Sequence, residues 1–465
     1  MTQPEPQFVR RVAGVGSARV IRFAIGMATT FLLSALLGPS GRGDFALAIL
    51  VPTTLLALGQ LGLPSSLSFF AGRGRAGRSL ARIALVLGIG ASIVLLLGTL
   101  LALPALEASV LRNAPGDLVR LALVSLPFQF VASFSGAILV GRQTFFVYNT
   151  VLVAQAALTL ALVVVFVGVA GLGPAGAVLG NVIVAGAAAT ASAIAVRRTT
   201  RADEPAPPLG LGELARFGAR VYPASVTTFF SYRIDIFLLG FLLAGSPSEV
   251  TAAIGLYTLG VSLAELTFFV PDSVSTVFFP RVAGSDRRGA DAAAPMVSRM
   301  TILVMLLGTV LLVPAAVLAV NVLLPRFTDG LAAFAVLIPG VVVLGLAKVL
   351  SSYISGLGRP GPVTVAAVVS LVVNVTANLI LIPPLGIIGA ALASVMSYAL
   401  NTAILVLIAC RLSRRGPIDF LVPTRAEAVR LVEVVRAGWR RVRSGRRPTT
   451  GAGAPPGGEP PAAPS

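Results

Sequence analysis

Long apolar segments recur along the whole chain, separated by short stretches of charged, glycine and proline residues. Most of these segments are about 20 residues long, the length that lets an α-helix cross the hydrocarbon core of a bilayer. Segment 83–101 is continuously apolar and lacks the alternation over about ten residues that is typical of barrel strands. Since only helices and closed barrels satisfy the backbone inside lipid, the pattern predicts an all-α polytopic membrane protein.

The apolar pattern predicts twelve transmembrane helices in two groups of six. The first group is predicted at 19–37, 45–70, 83–103, 118–139, 145–169 and 174–196. The second group is predicted at 217–244, 250–279, 300–324, 331–356, 363–382 and 387–410. We therefore divide the chain into a cytoplasmic N-terminal segment (1–18), a first lobe (19–196), a cytoplasmic linker (197–216), a second lobe (217–411), a basic amphipathic cytoplasmic tail (412–443) and a Pro/Gly/Ala-rich tail expected to be disordered (444–465).

Two short motifs recur at nearly the same separation. Residues 172–179 and 385–392 both read L-G-x-x-G-A-x-L, and residues 64–68 and 271–275 both read P-x-S-x-S, with offsets of 213 and 207 residues. Each pair opens or closes corresponding predicted spans, which indicates an internal duplication. Two six-helix lobes with the same sense in the membrane are related by a pseudo-two-fold axis along the membrane normal, an architecture that places a cavity between lobes and works by alternating access.

The formal net charge is +18, and the basic residues cluster at span ends and in the C-terminal region. In a membrane protein this distribution sets topology and favours contact with anionic lipids over binding of nucleic acid. With an N-terminus inside, the predicted outer loops hold few arginines, namely Arg42, Arg112, Arg120 and Arg326. We therefore predict a multi-pass protein of the plasma (inner) membrane with both termini in the cytoplasm and with anionic lipids at the basic tail.

The composition also excludes several kinds of chemistry. The chain has no histidine, so histidine-based catalysis and proton relays are excluded, and its single cysteine, Cys410, excludes an internal disulfide and a cysteine metal cage. No stretch combines a nucleophile with a base, and Gly88-Ile89-Gly90 lies within a span without the features of a nucleotide loop. We expect no enzymatic activity, no cofactor and no metal site.

Near the interior of the predicted lobes the chain offers three basic residues: Arg22 in the first span, Arg233 in the seventh, and Lys348, the only lysine, in the tenth. Ionisable groups inside a membrane are costly and mark functional sites by default. Guanidinium and ammonium groups suit the oxygens of a diphosphate. We predict that Arg233, Lys348 and Arg22 bind an anionic cargo, while Arg22 and Lys348 would alternatively extend to the membrane interface.

Three acidic residues accompany them. Asp235 is two residues from Arg233 and so lies on nearly the opposite side of the helix, which excludes an intrahelical pair. We predict that it pairs with another helix or couples transport to sodium or protons. Glu265 and Asp272 are seven residues apart and share a helix face, where they would bind a coupling cation or neutralise basic groups between the lobes. All three are assigned to coupling or gating.

Several short motifs occur in a fixed order along this frame. They are Leu37-Gly38-Pro39 with Gly43 and Phe45-Ala46, Arg233-Ile234-Asp235, Gly255-Leu256-Tyr257, Phe279-Pro280-Arg281, and Asn378 to Pro383 followed by Leu385 to Ala391. With these motifs the chain resembles, over about residues 10–412, the multidrug/oligosaccharidyl-lipid/polysaccharide exporter superfamily. Within it the chain is most similar to the polysaccharide-type flippases, the translocases of O-antigen, lipopolysaccharide and exopolysaccharide.

This resemblance implies that the protein moves a polyprenyl-diphosphate-linked oligosaccharide from the inner to the outer leaflet for surface polysaccharide biosynthesis. Two alternatives share the fold: an ion-coupled multidrug or metabolite antiporter, and a lipid II flippase. A third alternative is a membrane scaffold whose basic tail recruits glycan-assembly enzymes. The tail is not part of the family pattern, so its role stays open at this point.

Overall fold

A computed structural model of the chain describes residues 6–425 except 75–76, 110 and 202–209, together with residue 427; side chains are described from Arg19 onward. Helices account for nearly all of this part of the chain, which contains no strand. The helices are α1 (Pro6–Gly59), α2 (Leu63–Gly72), α3 (Arg78–Glu107), α4 (Gly116–Leu123), α5 (Leu126–Gly141), α6 (Phe145–Leu162, continued by a π-turn Val163–Val169), α7 (Gly173–Thr199), α8 (Leu211–Leu242), α9 (Pro247–Glu265), α10 (Phe269–Ala283), α11 (Arg287–Leu323), α12 (Gly330–Gly356), α13 (Pro360–Ser413) and α14 (Ile418–Leu421).

Nine helices in the described ranges are long and apolar enough to cross a membrane, and the α4–α5 pair, bent by 41°, makes a tenth. Two of the ten are too long for one crossing. At 1.5 Å per residue α13 would reach roughly 80 Å, against about 30 Å for the hydrocarbon core. The backbone of α1 and of α13 leaves helical geometry at Gly38 and Gly386, with φ of 66° and 57°, so each supplies two spans. The predicted all-α fold of about twelve spans is confirmed.

The repeated L-G-x-x-G-A-x-L motif has the same structural role in both halves. Its first glycine, Gly173 or Gly386, has a φ of 57° in both copies, a left-handed conformation that L side chains rarely adopt. Its second glycine lies against the preceding span: a Cβ on Gly176 would be 2.9 Å from the Phe166 carbonyl oxygen, and a Cβ on Gly389 would be 2.1 Å from that of Leu381. The motif therefore encodes a tight hairpin, and the two lobes are pseudo-symmetric.

Helices α1–α7 form the N-terminal lobe and α8–α13 form the C-terminal lobe. An apolar core that includes Phe130 and Phe134 lies in the first lobe. The core of the second lobe includes Tyr257, Phe334 and Tyr353 and extends to Leu47 and Leu50 of α1. We call the end of the bundle that carries the turns at Gly38 and Gly386 the distal end. The end that carries the link between α7 and α8 and the end of α13 is the terminal end.

At the distal end the lobes cross through a reciprocal pair of glycines. A Cβ on Gly43 would be 1.7 Å from the carbonyl oxygen of Thr251, and a Cβ on Gly255 would be 1.9 Å from that of Pro39. Each glycine thus lies against the carbonyl four residues before the other glycine, as a pseudo-two-fold axis requires. The Ser40 and Thr251 hydroxyls hydrogen-bond across the same seam at 3.1 Å. We call this contact the distal seam.

Toward the terminal end the lobes contact each other again, between α2 and the start of α8. A Cβ on Gly62 would be 2.2 Å from the Gly218 carbonyl oxygen, and the Ser66 hydroxyl donates to the carbonyl of Leu214 at 2.9 Å. Phe69 stacks on Phe217 with ring centroids 4.5 Å apart. On the other side of the bundle Phe23 of α1 packs against Phe269 of α10 at 5.5 Å. The lobes are therefore in contact at both ends.

The segment after α13 returns to the C-terminal lobe. Arg299 of α11 donates to both carboxylate oxygens of Glu427 at 2.7–3.0 Å and also to the carbonyl of Asp419, while Phe420 is fully buried. Hydrogen bonds from Arg299 hold the pKa of the Glu427 carboxyl below its ordinary value. The start of the predicted basic tail is thus docked on α11. Residues 428–443 of the predicted basic amphipathic tail and the whole tail 444–465 lie outside the described residues.

The hairpin role of the motif predicts that its second glycine cannot be replaced in either lobe. Gly176→Ala and Gly389→Ala each place a methyl group against a backbone carbonyl, a clash that costs about 1–3 kcal/mol as other overpacked sites do. Gly98→Ala is the control, because no atom lies within 4 Å of its added Cβ. Thermal unfolding in detergent checks this: the Tm should fall for the first two variants and hold for Gly98→Ala. An equal Tm for all three would contradict the hairpin role.

Candidate functional site

Arg233 of α8 faces a small cavity inside the C-terminal lobe. The cavity has a volume of about 280 Å³ and is lined by Thr228, Phe229, Tyr232, Arg233, Glu265 and Phe268. Among the described residues no carboxylate lies within ion-pairing distance of the Arg233 guanidinium, although Glu265 lines the same cavity. The positive charge is therefore presented to the cavity with its hydrogen-bond donors available.

Lys348 of α12 lies on the other side of the same aromatic wall. Its Nζ is 2.8 Å from Oδ1 of Asp272 and 3.9 Å from the ring centroid of Phe268, with the Tyr232 ring 5.8 Å away. The ammonium thus has a carboxylate and two π-faces as partners, a combination that stabilises a partly buried cation. Because Phe268 and Tyr232 also line the Arg233 cavity, Arg233, Glu265, Asp272 and Lys348 form one group, which we call the cationic cluster.

A break in the eighth span shapes this cluster. The span passes from α9 into a 3₁₀ turn at Leu266–Phe268 before α10 begins at Phe269. Pro271 in the first turn of α10 has no N–H to donate, which disfavours a continuous α-helix here. The turn lies between Glu265 and Asp272 and carries Phe268, so the break lies within the stretch that supplies two carboxylates and one aromatic ring to the cluster.

Asp235 lies away from the cluster, in the packed interior between α8, α9 and α13. The carboxylate is 4% exposed; the hydroxyls of Tyr257 and Ser394 donate to its Oδ2, at 2.9 Å for Ser394. Its Oδ1 has no hydrogen-bond partner in the described part of the chain. A buried carboxylate with a free oxygen and only neutral donors is a candidate for binding a proton or a small cation.

The structure does not bring Arg22 into the cluster. Its side chain is exposed on α1, and no described hydrogen bond or ion pair joins it to the other predicted site residues. Arg19, one turn earlier, approaches the C-terminal lobe instead, with its guanidinium carbon 6.0 Å from the Phe269 ring. The predicted cargo-binding set is thus divided between a cluster in the C-terminal lobe and an exposed arginine on the first span.

Arg42 is a residue whose place the sequence did not predict. Its assignment to an outer loop is wrong: the side chain is 7% exposed, inside the distal seam, and donates hydrogen bonds to both lobes. A stretch with three glycines and a proline between 38 and 43 is typical of a loop, but here the glycines permit close packing of helices. The signal that would have located it is the reciprocal spacing of Gly43 and Gly255.

A second cavity, in the N-terminal lobe and at its contact with α8, is chemically different from the cationic cluster. It has a volume of about 760 Å³, lies between α2, α5, α6, α7 and the start of α8, and no charged residue lines it. Hydroxyl and amide groups of Tyr148, Gln155 and Ser192 are among its polar groups. In the same described part of the chain, no three His, Cys, Asp or Glu residues lie close enough to hold a metal ion.

Comparison with known proteins supplies the family. A family model described as "Lipid II flippase MurJ" matches residues 68–434, well over half of the chain. No curated protein matches. A solved structure of "Lipid II flippase MurJ, inward closed conformation" superposes with a TM-score of 0.68 at 13% identity and covers 93% of this chain and 99% of that one.

Two other solved structures share the fold. One is an outward-facing multidrug resistance MATE family transporter of the MOP superfamily, with a TM-score of 0.63 at 17% identity over 87% of this chain and 95% of that one. The other is a MOP superfamily transporter from Pyrococcus furiosus, with a TM-score of 0.55 at 15% identity over 88% and 96% of the two chains. At these identities the likeness establishes the fold alone.

The sequence prediction of a flippase of this superfamily is confirmed, as is a multi-pass membrane protein of the transporter type. The finer assignment to polysaccharide-type flippases is not what the family match supports; of the alternatives considered, the lipid II flippase fits better. With a family match that spans both lobes and a fold shared with a solved member, the chain belongs to the MurJ family of lipid II flippases.

Proposed function

We propose that this protein moves lipid II, a lipid-linked precursor that carries a diphosphate, from the cytoplasmic to the outer leaflet of the plasma membrane. The family match over residues 68–434 carries the proposal. It favours lipid II over the surface-polysaccharide precursor that the motif resemblance implied. Both cargoes carry a diphosphate, so the cationic cluster would bind the same chemical group in either case.

Arg233 is the main cargo-binding residue of the cluster. Its guanidinium faces a cavity without a carboxylate at ion-pairing distance in the described chain, so an entering diphosphate would meet free donors. Charge-assisted hydrogen bonds of this kind are about twice as strong as neutral ones. Lys348 contributes less in the resting state because Asp272 neutralises it, and the cargo would have to displace that carboxylate.

Arg22 and the membrane orientation complete the proposal. Arg22 is exposed on α1, where it would meet the head group before the cargo reaches the cluster. Arginines dominate the terminal end, which includes Arg197 and Arg198, whereas the distal end carries acidic residues such as Glu107 and Asp329. By the positive-inside rule the terminal end is cytoplasmic. Contact of the basic tail with anionic lipids or with glycan-assembly enzymes stays a prediction.

Alternating access fits the way in which the lobes touch. The described contacts between them include glycine–carbonyl approaches, hydrogen bonds and stacked rings at the two ends. Such contacts separate at modest cost, so that rocking of one lobe against the other opens one end at a time. The cluster would then face each leaflet in turn.

One test of this proposal concerns Arg233. Arg233→Ala should lower the rate of lipid II flipping in proteoliposomes about 10- to 100-fold, since one charge-assisted contact contributes roughly 1.5–3 kcal/mol. The Tm in detergent should change little, because no described side chain forms a hydrogen bond or an ion pair with this guanidinium.

Arg288→Ala is the matched control, since Arg288 is an exposed arginine at the terminal end of the same lobe. Equal flipping by the Arg233 and Arg288 variants would show that Arg233 does not bind the cargo. The absence of lipid II flipping by the unaltered protein would overturn the proposed cargo itself.

A second prediction concerns Asp235 as the coupling residue. Its buried Oδ1 lacks a partner in the described chain, so Asp235 would bind the sodium ion or proton that drives the cycle. Asp235→Asn keeps the Tyr257 and Ser394 hydrogen bonds but removes the charge. Flipping by this variant should no longer respond to a sodium or pH gradient, while exposed Asp329→Asn should leave the response unchanged. A gradient response that survives in Asp235→Asn would exclude this role.

A further inference from the structure

We propose that Arg42 is a second anion-binding residue, which exchanges hydroxyl and carbonyl partners across the distal seam for the diphosphate of the cargo when that seam opens. The proposal rests on the proposed function, because it assumes a diphosphate cargo that leaves at the distal end. It assigns a binding role to a residue outside the cationic cluster, on the other side of the transport path.

All five N–H donors of Arg42 are satisfied by neutral acceptors. Nη1 donates to the carbonyl of Thr30 at 3.3 Å and to the hydroxyl of Ser34 at 2.5 Å, both on the first span. Nε donates to the hydroxyl of Thr258 at 3.3 Å, and Nη2 donates to the carbonyl of Thr258 at 3.3 Å and to the hydroxyl of Ser262 at 3.2 Å. The guanidinium therefore joins the first and second spans of one lobe to the eighth span of the other.

These partners satisfy the donors but leave the charge without a counter-ion. The residue is 7% exposed, and no carboxylate in the described chain forms an ion pair with it; Asp44, two residues further on, does not reach it. A buried charge without an opposite charge is costly, and hydroxyl groups offset only part of that cost. A contact that merely held the lobes together would not need the charge, because neutral side chains such as Ser40 and Thr251 already bond across the seam.

The hydrogen-bond partners of Arg42 are divided between the two lobes, so opening of the distal seam breaks only some of its hydrogen bonds. Nη1 stays with Thr30 and Ser34, which belong to the same lobe as Arg42. Nε and Nη2 lose Thr258 and Ser262, which belong to the other lobe. The Nε–Nη2 edge of a guanidinium is the fork that binds two oxygens of a phosphate side by side. Opening therefore frees an anion-binding edge on an arginine that is still anchored.

This exchange gives the cargo control over the distal seam. A ligand that binds only the open state shifts the equilibrium toward that state by its difference in affinity for the two states. A bound diphosphate would thus favour opening at the distal end, and an empty transporter would close again as Arg42 recovers Thr258 and Ser262. The residue would thereby link cargo release to closure.

The test uses a cysteine pair across the seam, Ser40→Cys with Thr251→Cys, in a Cys410→Ala background. The two hydroxyl oxygens are 3.1 Å apart, so the paired thiols are within reach of a disulfide when the seam is closed. The rate of disulfide formation under a mild oxidant reports closure, and inorganic pyrophosphate is the probe, compared with sodium chloride at the same ionic strength. With Arg42 present, pyrophosphate should slow the reaction roughly threefold or more.

Two variants separate the outcomes. In Arg42→Gln the effect of pyrophosphate on the rate of disulfide formation should disappear. In the control variant Arg120→Gln the effect should persist, because Arg120 is a distal arginine that pairs with Glu107 and Asp117 of its own lobe. The proposal is overturned if pyrophosphate has no effect with Arg42 present, or slows the reaction equally without it. In the first case Arg42 would be a structural latch only.

If the cysteine pair does not express, hydrogen exchange of the amides in 38–44 and 247–255 answers the same question without it. Pyrophosphate should speed exchange in the unaltered protein and not in Arg42→Gln; equal behaviour would refute the proposal. Neither measurement uses lipid II. Failure of flipping would therefore count against the proposed function, and failure of the seam response would count against Arg42 alone.

Discussion

Placing a charge inside a bilayer costs free energy, and this cost explains which partners surround the ionisable side chains of this structure. Lys348 is neutralised by Asp272 and covered by Phe268, Asp235 receives two hydroxyl donors, and Arg42 has an acceptor for each of its N–H groups. Arg233 is the exception, because its guanidinium faces a cavity with no described carboxylate at ion-pairing distance. Charged groups inside a membrane usually pair with a group of opposite charge. A guanidinium that has no ion-pair partner there is available to bind an anionic ligand.

The same constraint explains why much of the contact between the lobes is made by backbone and small polar groups. At Gly43 and Gly255 the two helices are so close that a carbonyl oxygen of one lobe lies where a Cβ atom of the other lobe would be. Gly62 and Gly218 allow the same close approach near the terminal end. Additional hydrogen bonds, such as that from Asn113 to the Gly240 carbonyl at 2.9 Å, join the lobes without charge. Contacts of this kind break and reform without exposing unpaired carboxylates to lipid, which is what a transporter with two alternately open ends requires.

Much of this architecture could be predicted from the sequence, because span length and the repeated glycine motif are local properties. The hairpins at Gly173 and Gly386 and the membership of Arg233, Glu265, Asp272 and Lys348 in one lobe follow from spacing along the helices. The burial of Arg42 could not be predicted, since it depends on Thr258 and Ser262, more than 200 residues away. Likewise, the apolar pattern of the sequence places Arg22 in a span. It does not determine whether that face of the helix contacts the other lobe or is exposed on the outside of the protein.

Cells depleted of the protein show whether its cargo is lipid II. The measurement is the amount of lipid II and its leaflet distribution, determined with a probe added from outside. A role as lipid II flippase predicts that lipid II accumulates and stays in the cytoplasmic leaflet, with peptidoglycan synthesis falling in step. A normal lipid II pool and distribution, together with loss of surface polysaccharide and accumulation of its lipid-linked precursor, would contradict it and assign the cationic cluster to a different diphosphate cargo.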